Sequence, residues 1–467
     1  MLLELFFLVS AAFLPTNARQ WSTSDQCPTS IRTTVPGGHY DDRYTDSETR
    51  RTRPPNFGTM RSVHSALLKC PNLTSLDLRV TLLGCSEWPD LWNFPFNVEG
   101  GDRYPPLKKL RLEGYSFDEQ PGRGVGLKNS DEFYGAWLPE RLFDWWRSGN
   151  MQKYFQYKSL SAEQRDKTNL ELWFDAMDWS QIETLGLLDN RGQHHFMDKA
   201  PRYLKSLRSL EIWGGWRGSN NTVAFVTNLE PNSLTNLTWI GGWETNDLQS
   251  ILESHGQSLQ HLEIRDPEND RQLTQAFEKD QLLLLSQIAP SLKHLSLNIR
   301  RNGTWPFESF SIIASSPSLE TVDLWLDITS DCQRQKPQMY SVAYMKWERE
   351  FRERNESIPC QGEDRFQQPF LNESSALEVF KHMRNAKSGE QLRKVTFWAG
   401  DWSRSWDGPI YIEPWIEGRS AKVVCTTEGM VEGEAWCTVE DGGGYWKNRA
   451  RWSEEELEEF DRLDLMT

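Results

Sequence analysis

Apolar residues recur along this chain at the first, fourth and sixth positions of a short window, with polar residues between them. In SLRSLEIW they are Leu207, Leu210 and Ile212. The template also places Leu73, Leu76 and Leu78 in NLTSLDL, Leu107, Leu110 and Leu112 in PLKKLRL, and Ile182, Leu185 and Leu187 in QIETLGL. It continues through Leu234, Leu237 and Trp239, then Leu259, Leu262 and Ile264, then Leu292, Leu295 and Leu297. Leu319, Val322 and Leu324 follow, and the last set is Leu392, Val395 and Phe397. From Ile182 to Leu319 the starts lie 25, 27, 25, 33 and 27 residues apart. Alternation at the end of each window predicts a short strand. So few apolar residues cannot be buried by one strand alone, so each unit must stack against neighbours.

The stretches between windows carry helical periodicity. Leu248, Ile251 and Leu252 share a face, with Asn246 and Asp247 as the N-terminal cap and Gly256 as the stop. Comparable faces run through Leu273, Phe277 and Leu284 to Ile288, through Phe307, Phe310 and Ile313, and through Leu377, Phe380 and Met383. Strand then helix, with L-x-x-L-x-L at a period in the twenties, resembles the longer leucine-rich repeats of the ribonuclease-inhibitor-like class. That resemblance covers about residues 65–400 and implies an α/β solenoid, with parallel strands on a concave face and helices on a convex one.

Two intervals are longer, 75 residues from Leu107 to Ile182 and 73 from Leu319 to Leu392. They hold either degenerate repeats or insertions, near 115–169 (with a helix candidate in LPERLFDWWRS) and 328–374. Residues 19–64 read as an N-terminal cap or linker, and 401–467 as a C-terminal cap. In that cap Cys425 and Cys437 face each other across a hairpin, and Ser453 with Glu456 opens a last helix carrying Leu457, Phe460 and Leu463.

At 467 residues the chain exceeds one ordinary compact domain, as an elongated array would. Its 22 tryptophans are in marked excess and serve either as core filling or as exposed stacking surfaces. LDLRVTLLGCSEWPD, WNFPF and NLELWFDAMDWSQIETL resemble a group of uncharacterised secreted fungal leucine-rich-repeat proteins. Their repeats are similar to those of F-box proteins, but no F-box helices precede the repeats here. The group has no established activity to transfer to particular residues.

Residues 1–18, with an apolar run from Leu5 to Leu14 and small residues at Thr16-Asn17-Ala18, read as a signal peptide, although Glu4 stands where a basic residue is usual. Sequons at Asn72, Asn220, Asn236, Asn302, Asn355 and Asn372 fit a secreted, extracellular glycoprotein. So do seven cysteines, of which Cys70 with Cys85, Cys332 with Cys360, and Cys425 with Cys437 form local pairs and Cys27 is left over. Sequence does not fix that connectivity, and Cys27 could displace any member. No span or lipid-anchor tail is evident. A net charge of −15 argues against nucleic acid as partner. The run Arg50 to Arg53 and the pair His194-His195 read as polar loops, and no metal or cofactor is expected.

In this register the second, third, fifth and seventh positions face the concave surface. The fifth gives Glu211, Thr238, Glu263, Ser296, Asp323 and Thr396; the seventh gives Trp213, Ile240, Arg265, Asn298, Trp325 and Trp398. Glu211, Trp213, Glu263, Arg265, Asp323, Trp325 and Trp398 form the candidate binding strip, suited to a basic protein or a carbohydrate. Alternatively, those indoles complete the core. Asn236 lies on the same face, so a glycan there would compete with a ligand. Trp216, Trp243 and Trp402 follow glycines after their strands, which suggests a repeated structural slot. The expected role is an interaction module with a protein or glycan partner. A secreted carbohydrate-active hydrolase using a carboxylate pair is the alternative, but no G-x-S-x-G elbow or phosphate loop is present, and Gly442 to Gly444 reads as a turn.

Overall fold

A computed structural model describes residues 27–36, 57–81, 89–97, 101–118, 167–214, 219–244, 247–268, 274–335, 342–354, 356, 364, 366–400, 421–428 and 434–442. The signal-peptide call, the LPERLFDWWRS helix, the terminal helix, Trp216, Trp402, Cys85, Cys360 and Asn355 lie outside them. Two units are distinguished, residues 1–207 and 208–467.

Among the described residues the first unit holds four strands, β1 (Ser30–Val35), β2 (Ser75–Val80), β3 (Lys109–Glu113) and β4 (Thr184–Leu188). They pair in parallel and in chain order, with Leu76 beside Leu110 and Leu110 beside Leu185. β1, with Ile31 beside Leu76, adds a strand before the first window. β3 pairs directly with β4 across the long interval between them. Helices Met60–Lys69 and Asn169–Ala176 both begin with a capping box, at Thr59 and Thr168. Behind the strands Phe94, Tyr115, Phe117, Trp173, Trp179 and Phe196 form a buried aromatic core.

Among its described residues the second unit holds eight strands: β5 (Ser209–Trp213), β6 (Asn236–Ile240), β7 (His261–Arg265), β8 (His294–Asn298), β9 (Thr321–Leu326), β10 (Lys394–Ala399), β11 (Ala421–Thr426) and β12 (Trp436–Gly442). β5 to β10 are parallel, and register aligns Leu210, Leu237, Leu262, Leu295, Val322 and Val395 as successive rungs. Each rung is buried, so every strand covers the apolar edge of the next. β9 pairs directly with β10 across the second long interval. It carries helices Asp331–Arg334, Val342–Glu353 and Glu373–Ala386. Helix Asp247–His255 buries Leu248, Ile251 and Leu252, and helix Phe307–Ala314 buries Phe310 and Ile313. Leu377 is half-buried, while Phe380 and Met383 are buried.

The chain then turns back: β11 and β12 are antiparallel, with Cys425 directly opposite Cys437 and disulfide-bonded to it. In the first unit Cys27 is bonded to Cys70, which corrects the pairing of Cys70 with Cys85. The reason is topological: Cys27 and Cys70 stand shortly before the parallel neighbours β1 and β2, so register brings their Cα atoms to 5.3 Å. Cys332 is also disulfide-bonded. Among the described residues no helix is long and apolar enough to cross a membrane.

The glycine slots predicted after the strands are tight. A side chain at Gly214 would lie 2.5 Å from the Gly241 carbonyl, and Gly241 itself has φ +77°. Trp243 is buried there against Phe277, and Trp239 donates its Nε1–H to the Gly241 carbonyl at 2.9 Å.

Candidate functional site

Alternation along each strand of the second unit puts core residues on one face and a second set on the other. Register sorts that second face into rows. Glu211, Thr238, Glu263, Ser296, Asp323 and Thr396 form one row. In the next, Trp213, Ile240 and Arg265 are aligned, as are Asn298, Trp325, Trp398 and Lys422. The structure therefore places all seven predicted binding residues on this face, although they are unevenly exposed.

Trp325 and Trp398 stack almost parallel, 4° apart in plane with centroids at 4.9 Å. The Arg265 guanidinium lies 3.8 Å from the Trp325 ring centre, and the Lys422 ammonium 4.7 Å from that of Trp398. Arg265 starts two strands away, about 10 Å given the usual strand spacing, so it must reach across β8. Glu263 anchors its Nε at 2.7 Å. The result is a cation, indole, indole, cation ladder, in which each ring face meets either a positive charge or the other ring. Its inner part is closed to water: Arg265 is only 3% exposed and Trp325 9%. Trp325 also donates its Nε1–H to Ser296 Oγ at 2.9 Å. Arg265, expected as a surface contact, is instead a buried prop for the indoles. Ile240 and Asn298 are buried as well.

A histidine pair lies beside the ladder. His261 and His294 stack at 4.2 Å, and His294 Nδ1 is 2.7 Å from Thr321 Oγ1. Burial lowers both pKa values, and for His261 the neighbouring His294 adds to the effect. Burial also raises the Asp323 carboxyl, against a hydrogen bond from Thr396. Asn236 is exposed at the start of β6, beside His261 in register. Asn72, Asn302 and Asn372 are exposed too; the Asn372 side chain caps helix Glu373–Ala386 through Ser375 N at 2.9 Å.

The sequence reading missed a buried ionic knot just beyond β7, β8 and β9. Glu268 accepts from the amides of Ile328 and Thr329, each at 2.7 Å through Oε1. Arg334 is 2.8 Å from Asp327 and 3.8 Å from Glu268, and all three side chains are under 10% exposed. Thr274 Oγ1 donates to Asp327 at 2.7 Å, and the Arg301 guanidinium donates to the Asp327 and Pro369 carbonyls. Burial, with Asp327 next, pushes Glu268 up to about 7; burial also pushes Asp266 up to about 6 and Arg301 down to about 10. These groups tie three post-strand loops and helix Asp331–Arg334 together. One signal was available: charges stand eight to ten positions into three successive repeats, at Asp266, Glu268, Arg301 and Asp327.

No family model, no curated protein and no solved structure matches the chain.

Proposed function

We propose that the chain is a leucine-rich-repeat solenoid, secreted and glycosylated, with the disulfide-bonded hairpin as its C-terminal cap. It acts as an interaction module through the ladder-bearing face of the second unit. The repeated strand window, the in-register rungs and the disulfides support the first part.

The observation that carries the second is the ladder. A sugar stacks on an open ring face, but Trp325 is covered by Arg265 from one side of β9 and by Trp398 from the other. Lys422 lies against Trp398 in turn. What such a ladder offers a partner is a stiff ridge of ring edges beside Glu263 and Asp323. That favours a protein segment over a glycan, and a basic one, given the net charge of −15. The footprint runs from β7 to β11 and leaves a glycan on Asn236 at its margin.

The test is titration of the full chain with a lysine- and arginine-rich peptide and, separately, with neutral oligosaccharides. Salt-sensitive peptide binding, weakened by Asp323→Asn and Glu263→Gln, is the expected result. Oligosaccharide binding with no response to the peptide would replace the protein reading by the glycan one. Peptide binding indifferent to both substitutions would remove this face from consideration.

A further inference from the structure

His194 and His195 do not lie in the polar loop expected of them. They occupy the first turn of helix Gln193–Lys199, with ring centroids 3.9 Å apart. Neighbouring helical positions ordinarily diverge, yet here both rings turn toward one carboxylate. His195 Nε2 is 3.6 Å from Asp118 Oδ1, and the three potential ligand atoms all lie within 4.8 Å of one another. We propose that Asp118, His194 and His195 form a binding site for a divalent transition-metal ion of the zinc class.

Two imidazoles and a carboxylate are the donor set such ions prefer. Around a tetrahedral ion with bonds of about 2.0–2.1 Å, ligand atoms stand about 3.4 Å apart. The His195 to Asp118 distance is already close to that, and rotation of two exposed imidazoles closes the rest. Three protein ligands leave a fourth position for water or a ligand atom from a partner.

The backbone under the site is held from both sides. Ser116 and Arg191 form a parallel bridge; Phe117 N donates to the Arg191 carbonyl, and Arg191 N to the Tyr115 carbonyl, each at 2.8 Å. Asn190, buried, accepts from Tyr115 N at 2.8 Å and donates to the Leu112 carbonyl at 3.0 Å. The loop after β3 and the loop entering the helix are therefore fixed to each other within a few residues of all three ligands. Little ordering remains to be done on binding. Gly192 completes the arrangement: it has φ +72°, and a Cβ there would stand 2.1 Å from Asp118 Oδ1. The carboxylate is seated where only glycine leaves room. A lone Asp118–His195 surface pair, worth little in stability, would not draw in His194.

The experiment uses untagged full-length protein with its disulfides intact. It is titrated with Zn²⁺ by calorimetry and with Co²⁺ by visible absorption. Uptake of a single equivalent in the micromolar range is expected, with a Co²⁺ spectrum typical of nitrogen and oxygen donors and lacking a thiolate charge-transfer band. His194→Gln and His195→Gln should each weaken uptake at least about tenfold, and the double variant should abolish it. Asp118→Asn tests the third ligand, and Gly192→Ala should displace the carboxylate and weaken binding. Far-UV circular dichroism and thermal unfolding confirm that each variant is folded. No saturable uptake by the unsubstituted chain overturns the proposal. So does uptake unchanged in the folded double-histidine variant, or a thiolate band pointing to cysteine.

Discussion

The two units use one strand template and put opposite chemistry on its free face. In the first, the face is ionic: Asp77 sits between Arg32 at 3.2 Å and Arg111 at 3.4 Å, and Arg79 meets Glu113 at 3.0 Å. Its largest buried aromatic cluster among the described residues lies inside, around Trp173, which contacts Phe94, Tyr115 and Trp179 at centroid distances of 5.1–5.4 Å. In the second, indoles stand on the face, propped by the buried Arg265, and an ionic knot lies beyond the strand ends. The first, fourth and sixth window positions are thus the scaffold, identical in role throughout. The fifth and seventh are free to become a cross-strand ion lattice or an aromatic ladder. Abundant tryptophan therefore has two explanations in one chain.

The sharpest way to break that comparison is to remove one indole from each setting. Trp173→Ala should cost about 3–5 kcal/mol, because it opens a cavity at the centre of the aromatic core. Trp213→Ala, half-exposed on the free face, should cost about 1 kcal/mol or less. Denaturant unfolding measures both. Equal losses would mean that the face indoles are core after all.

Each unit also has a disulfide with both cysteines among the described residues, and the loop lengths rank these two. Cys27–Cys70 spans 43 residues and Cys425–Cys437 spans 12. By chain entropy, replacing each pair with serine should cost about 4 and about 3 kcal/mol respectively. A reversed order in thermal unfolding would show that the hairpin depends on its bridge more than the first unit depends on its own, although β11 is also paired with β10.

Acid and base should act differently on the two. In the first unit His64 is lowered by burial, so its unfolded form takes up a proton first, and stability falls as pH drops below about 6.5. In the second, His261 and His294 pull the same way, but Glu268 opposes them. Its folded pKa of about 7 lies above the ordinary 4.5. The folded state therefore holds the extra proton between those values, and stability declines as pH rises through that window. Glu268→Gln should flatten the decline, seen as unfolding midpoints compared at pH 5 and 8. An unchanged slope would assign it to Asp266, whose folded value is about 6.

The scaffold was legible because its signal is periodic: Leu210, Leu237, Leu262 and Leu295 announce their rungs through spacing alone, and Cys425 and Cys437 their hairpin. The seven face residues were legible as a face for the same reason. Their interactions were not. That Arg265 spans β8 to reach Trp325 depends on side-chain reach between strands, and nothing local encodes it. The Cys27–Cys70 bond and the ionic knot at Asp327 likewise join residues 43 and 53–61 positions apart, the first pair before adjacent strands and the second beyond strands separated by β8. The meeting of Asp118 with His194 and His195 has the same origin: β3 and β4 are adjacent in the sheet though far apart in the chain.

The smallest effects lie within the ladder and separate its two ends. Arg265→Met removes a buried cation from Trp325 and strands Glu263, so a loss of about 2 kcal/mol is expected. Lys422→Met removes a partly exposed cation from Trp398 while keeping the apolar stem, so the loss should be about 0.5–1 kcal/mol. Added salt should shrink the second and leave the first nearly unchanged, since a buried charge is screened far less than a wet one. Denaturant midpoints in low and high salt read both. If the two substitutions cost the same and respond to salt alike, the ladder has no buried end, and its indoles behave like the open charged face of the first unit.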